Sequence, residues 1–82
     1  MEYCTRVYEL RRGMHKKAWM KPGMYAVEMG RVQDGKLTLL SLWAEPTEER
    51  ARMYADAYIA AVRENGGNSV AAMSAAYHAV RG

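Results

Sequence analysis

The stretch MYAVEMGRVQDGKLTLLSLW, residues 24–43, decides the fold. Two runs of β-forming residues flank Asp34-Gly35. Asp-Gly readily takes the positive φ angles of a two-residue hairpin turn, and such a turn has the twist of the strands it joins. Counting outward from the turn sets the register. Gln33 faces Lys36, Val32 faces Leu37, Met29 faces Leu40 and Val27 faces Leu42. One face then carries Tyr25, Val27, Met29, Leu40 and Leu42. The other carries Met24, Ala26, Val32, Leu37, Leu39 and Trp43. Both faces are apolar, so both need a cover.

Upstream, Tyr3 to Leu10 reads as a strand, with Tyr3, Thr5 and Val7 on one side and Cys4, Tyr8 and Leu10 on the other. Gly13 breaks the pattern. Residues 11–22 are basic and irregular and close on the turn signal Lys21-Pro22-Gly23. This segment can fold back over the second sheet face. Otherwise that face meets another subunit or a partner.

Downstream, residues 44–65 read as a helix. Glu45 or Thr47 can cap it, Pro46 suits its first turn, and Glu48 and Glu49 complement the dipole. Ala51, Tyr54, Ala55, Tyr58, Ile59 and Val62 form an apolar stripe at helical spacing. Asn65-Gly66-Gly67 ends this helix. Asn68 or Ser69 caps a second one running to about Val80. Its larger apolar face is Val70, Met73, Tyr77 and Val80, while Ala71, Ala72, Ala75, Ala76 and Ala79 permit close approach to a neighbour. The short connection makes the pair a helical hairpin. The expected architecture is a single α+β domain over residues 1–82: a small three-stranded antiparallel sheet, formed by hairpin 24–43 and the N-terminal strand, followed by a two-helix hairpin.

An 82-residue chain buries only about 60–70% of the surface it exposes when unfolded, which leaves little core from which to cut a catalytic cleft. The composition, 50% apolar and 26% charged, is that of a folded globular domain. No apolar run reaches the ~20 residues of a membrane span, and Met1-Glu2-Tyr3-Cys4 lacks a signal-peptide layout. Cys4 is the one cysteine, so no internal disulfide forms. Cys4 reads as a small buried residue in a reducing, cytoplasmic protein.

No arrangement of residues announces chemistry. His15 and His78 are dispersed and neither sits beside a nucleophile in a known motif. A zinc site wants three or four ligands at paired spacing, which one cysteine and two histidines do not supply. Gly66-Gly67 serves as cap and turn. The expectation is a non-enzymatic protein with no metal and no cofactor.

Binding surface is what remains. The net charge is +3, and its excess gathers in residues 1–21, where Arg6, Arg11, Arg12, Lys16, Lys17 and Lys21 outweigh Glu2 and Glu9. Arg11, Arg12, Lys16, Lys17 and Lys21, with Trp19 among them, suit an acidic protein groove or a phosphate backbone. Leu37, Leu39 and Trp43 on the second sheet face complete the candidate binding set. Six Tyr, two Trp and no Phe favour side chains with polar tips, which interfaces use.

Residues 61–72, AVRENGGNSVAA, resemble the start of a Fis-type helix-turn-helix, in which a helix runs through a Gly-Gly-Asn turn into a helix bearing an Ala-Ala pair. That family continues into a basic recognition helix, whereas here the sequence reaches Arg81-Gly82, so major-groove reading by this route is not expected. In kind rather than in motif, the chain resembles small accessory proteins of bacteriophages and mobile elements, anti-CRISPR proteins and other host inhibitors among them. That likeness implies a phage protein that occupies a functional surface of a host protein or complex, such as a defence complex. The alternatives are a nucleic-acid-binding regulator using residues 11–21 and a structural homodimer. No membrane partner is expected.

Overall fold

The computed structural model describes residues 2–14 and 20–82. Strand β1 (Glu2–Glu9) is followed by β2 (Tyr25–Gln33), β3 (Lys36–Glu45), helix α1 (Glu48–Glu64) and helix α2 (Ser69–Arg81). The strands form one antiparallel sheet in the order β1-β2-β3. This is the expected α+β architecture.

The Asp34-Gly35 turn forms as its chemistry dictates. Asp34 has φ 54° and Gly35 φ 76°, the left-handed pair of a tight hairpin. Next to the turn the register is the one counted, with Gln33 opposite Lys36 and Val32 opposite Leu37. Beyond it the count fails. The ladder slips between Met29 and Gly30, so that Gly30 pairs with Leu39, Met29 with Ser41 and Val27 with Trp43. Leu40 is the extra residue of a β-bulge. One inserted residue exchanges the faces of everything beyond it. Trp43 therefore leaves the face of Leu37 and Leu39 and joins Val27, while Leu42 crosses the other way.

The inner face carries Tyr3, Val7, Tyr25, Val27, Met29 and Trp43, and α1 packs on it. The α1 stripe behaves as its spacing requires, with Ala51, Tyr54, Ala55, Tyr58 and Val62 buried and Ile59 partly so. Tyr54 stacks on Trp43 with ring centroids 5.8 Å apart, and Tyr77 meets the same indole edge-on at 6.1 Å. Every hydroxyl of these buried tyrosines has a partner: Tyr54 Oη donates to the Met73 carbonyl at 3.4 Å, and Tyr58 Oη lies 2.7 Å from Ser69 Oγ.

Helix α1 starts later than its sequence suggests. β3 continues through Ala44 and Glu45, and Thr47 is the N-cap, its Oγ1 accepting from the Arg50 amide at 3.2 Å. Pro46 precedes the cap instead of opening the first turn. Glu45 is drawn into the interior by cationic partners described below, and this outcompetes its capping role. Asn68 caps α2 through its Oδ1, which accepts from the Ala71 amide at 3.0 Å. Both stripes of α2 are used: Ala72 and Ala76 are fully buried, Met73 and Val80 pack partly buried against the same core, and Val70 is left 79% exposed. Helix axes approach closely only where side chains are short, so the alanines take the closest contact with α1 and Val70, in the first turn of α2, is left outward.

Candidate functional site: the outer sheet face

The outer face holds Cys4, Arg6 and Tyr8 of β1, Ala26, Glu28, Gly30 and Val32 of β2, and Leu37, Leu39, Leu42 and Ala44 of β3. No helix covers it. At one end Leu10 and Met20, from either side of residues 15–19, pack on it. Leu10, Met20, Ala26 and Ala44 are buried there as a second core, with Tyr8, Met24 and Leu42 packed around them. Backbone bonds join the chain on the two sides of that segment. Leu10 N donates to Met24 O at 2.7 Å, and Gly23 N to Leu10 O at 3.0 Å.

At the hairpin end the face is open. Leu37 is 66% and Leu39 56% exposed, side by side on one strand. They flank a groove of about 310 Å³ bounded by Cys4, Arg6, Glu28 and Gly30. Gly30 gives the groove its floor. A Cβ there would stand 2.8 Å from the Thr38 carbonyl oxygen and 3.2 Å from Leu37 Cδ1. The missing side chain lets the strands close and Leu37 lie across the sheet. Cys4 is only partly buried and lines the same groove.

The polar rim is ordered. Arg6 Nη2 lies 2.9 Å from Glu28 Oε1, and Tyr8 Oη donates to Glu28 Oε2 at 2.9 Å. The Arg6 guanidinium also sits 4.9 Å from the Tyr8 ring centroid. Burial, then the neighbouring Glu28 carboxylate, raises the Tyr8 hydroxyl above its ordinary pKa. Tyr8 is thus a neutral donor at physiological pH, and an Arg-Tyr pair is the side-chain chemistry on which protein contacts concentrate.

The candidate residues of the sequence divide into distinct groups. Leu37 and Leu39 stand on the open face. Arg11, Arg12 and Lys21 are exposed on the connection, beside the second core. Lys16, Lys17 and Trp19 lie outside the described residues, as does His15. Trp43 is on the inner face, where its Nε1 donates to Glu45 Oε2 at 2.7 Å. The Arg6-Tyr8-Glu28 rim was not singled out from sequence. Its signal was available, because Arg6 and Glu28 face one another once β1 is paired with β2.

Glu45 is the other polar concentration. Its side chain is fully buried at the joint between β3 and α1. It accepts from Trp43, and Arg81 Nη1 lies 3.1 Å and Arg50 Nε 3.6 Å from it. With its oxygens engaged from three directions, Glu45 ties elements together and presents no free acid or base. Among the described residues no group of His, Cys, Asp and Glu is placed to hold a metal ion, and no helix is long and apolar enough to cross a membrane.

No family model matches the chain, and neither a curated protein nor a solved structure matches it.

Proposed function

We propose that this domain is a small non-enzymatic protein-binding module, an inhibitor or adaptor of the kind that phages and mobile elements encode. It acts in the cytoplasm by covering a functional surface of a host protein or complex. The observation that carries this reading is the exposure of Leu37 and Leu39, 66% and 56%, beside a groove bordered by Arg6 and Glu28, which Tyr8 braces through its bond to Glu28. Apolar side chains standing free next to an ordered Arg-Tyr rim have the anatomy of a contact patch: a dry centre and a polar border. The test is capture from host lysate with the wild-type chain and with Leu37→Ser/Leu39→Ser. A defined protein retained by the first and lost by the second, both folded, supports the reading. Recovery of nucleic acid alone, or of the same proteins by both, rejects it.

A second reading rests on Arg11, Arg12 and Lys21, which are exposed on one connection and have no ion pair among the described residues. These cations suit a nucleic-acid backbone, and phosphate contacts release counterions, so affinity would fall steeply with salt. Replacing the three by Ala should then abolish an electrophoretic shift that the leucine variant retains.

A further inference from the structure

The two edges of the sheet are built differently. β1 carries exposed Glu2, Arg6 and Glu9, charges of the kind that deter strand addition. β3 has no charged residue from Leu37 through Leu42, and no backbone hydrogen bond joins its outer edge to any other described residue. Lys36, Leu37, Thr38 and Leu39 are all exposed, so neither face of the hairpin tip is covered.

Hydrogen-bond parity decides which groups point outward. In a two-residue hairpin the residues flanking the turn exchange both backbone bonds, so Lys36 directs its N–H and C=O at β2. Thr38 does the same, and its carbonyl oxygen is the atom that a Cβ on Gly30 would meet at 2.8 Å. Leu37 and Leu39 therefore aim their backbone N–H and C=O off the edge, while their side chains lie on the outer face.

We propose that the tip of β3 pairs antiparallel with β3 of a second copy of this chain, with Thr38 on the two-fold axis. Leu37 of one copy and Leu39 of the other then exchange both hydrogen bonds, and symmetry repeats the exchange. The exposed leucines of both copies meet on the outer face. No like charges oppose one another, because Lys36 stands opposite Leu40 of the second copy and well away from the other Lys36. The bulge at Leu40 ends the seam. Both β3 edges are consumed and the β1 edges are charged, so the assembly closes at a dimer and does not grow into a filament. The seam is short, in the class below about 1,200 Å² that gives weak association. The partner-binding reading stands or falls separately, since a monomer also presents Leu37 and Leu39.

Sedimentation velocity over a range of concentrations should show a reversible monomer–dimer equilibrium. Thr38→Lys and Thr38→Glu each place like charges on the axis and should each weaken the dimer several-fold, while an equimolar mixture restores it. In the proposed seam the two Thr38 residues form the pair without hydrogen bonds, whose Cα atoms lie about 4.5 Å apart, within disulfide range. Thr38→Cys in a Cys4→Ser background should therefore cross-link on oxidation. A chain that stays monomeric at the highest attainable concentration overturns the proposal. So does a dimer indifferent to the charge variants, or one whose Thr38→Cys form does not cross-link.

Discussion

The guanidinium of Arg81, the last residue of α2, lies 3.1 Å from the carboxylate of Glu45, the last residue of β3. One buried anion thus fastens the second helix to the sheet, and it also raises the Arg81 pKa, through the hydrogen bond first and the charge second. Glu45→Ala would leave Trp43, Arg50 and Arg81 facing a void. Urea unfolding should show a loss of about 2–3 kcal/mol, near the low end for a broken buried pair because both arginines can rehydrate. Arg81→Met should cost less, since Arg50 and Trp43 still hold the carboxylate. Additive effects in the double variant would contradict direct coupling.

Tyr54 sets an alkaline limit. Burial, followed by the charges of Glu45 and Tyr58, pushes its hydroxyl up to about 12 from the ordinary 10.0. A pKa raised on folding gives stability that is complete below the unfolded value and lost as pH rises through the folded one. Stability should therefore fall between pH ~10 and ~12. Tyr54→Phe should flatten that decline while sacrificing the bond to Met73. Urea unfolding repeated across this range, with tyrosinate absorbance followed alongside, checks both.

The glycines of the hairpin differ in what they tolerate. Gly35→Ala forces a side chain into φ 76° and should cost about 1–2 kcal/mol. Gly30→Ala meets backbone, the Thr38 carbonyl at 2.8 Å, and should cost about 1–3 kcal/mol while perturbing the ladder beside the bulge. Amide chemical shifts of Gly30, Thr38 and Leu39 would separate the two effects. The Gly30 variant should move them and the Gly35 variant should not.

Ala72 and Ala76 leave no room between the helices. Ala76→Leu should destabilise by about 1–3 kcal/mol through overpacking. Val70→Ser, on the exposed side of the same helix, should change stability by less than about 0.5 kcal/mol. Thermal melts of the two variants compare them directly; equal losses would mean that α2 is rotated from the described packing.

The hairpin, the three strands and both helices were legible because each is announced locally. Asp34-Gly35 has one economical conformation, and the α1 stripe repeats at 3.6 residues. The bulge was not legible. Nothing in Leu39-Leu40-Ser41 marks one residue as extra, because alternation reads equally well in either register. It was this insertion that moved Trp43 from the expected binding set to the inner core. The sequence left the cap of α1 between Glu45 and Thr47, and the choice is made by the tertiary partners that hold Glu45 inward, Trp43, Arg50 and Arg81. Both stripes of α2 were legible, the alanines as the close-approach face and Met73 and Val80 as packing residues; only Val70 falls outside the packing that the spacing implies. The tyrosine-rich composition is explained in part by Tyr54 and Tyr58, whose hydroxyls serve the interior. Of the candidate surface, the apolar pair Leu37 and Leu39 was readable from the turn, whereas the Arg6-Tyr8-Glu28 rim required the pairing of β1 with β2.

The sheet separates two cores of unequal size. The inner one is held by α1 and the aromatic stack; the outer one is Leu10, Met20, Ala26 and Ala44, next to backbone bonds from Leu10 to Met24 and from Gly23 to Leu10. Unequal cores make unequal thresholds for local opening. The amides of Leu10 and Gly23 should exchange with solvent through local opening of the backbone bonds they donate, far faster than those of Val27 and Met29, which exchange only when the whole chain unfolds. Release of Leu10 and Met20 would extend the exposed apolar strip from Leu39 toward Leu42 and Ala44 with the inner core untouched.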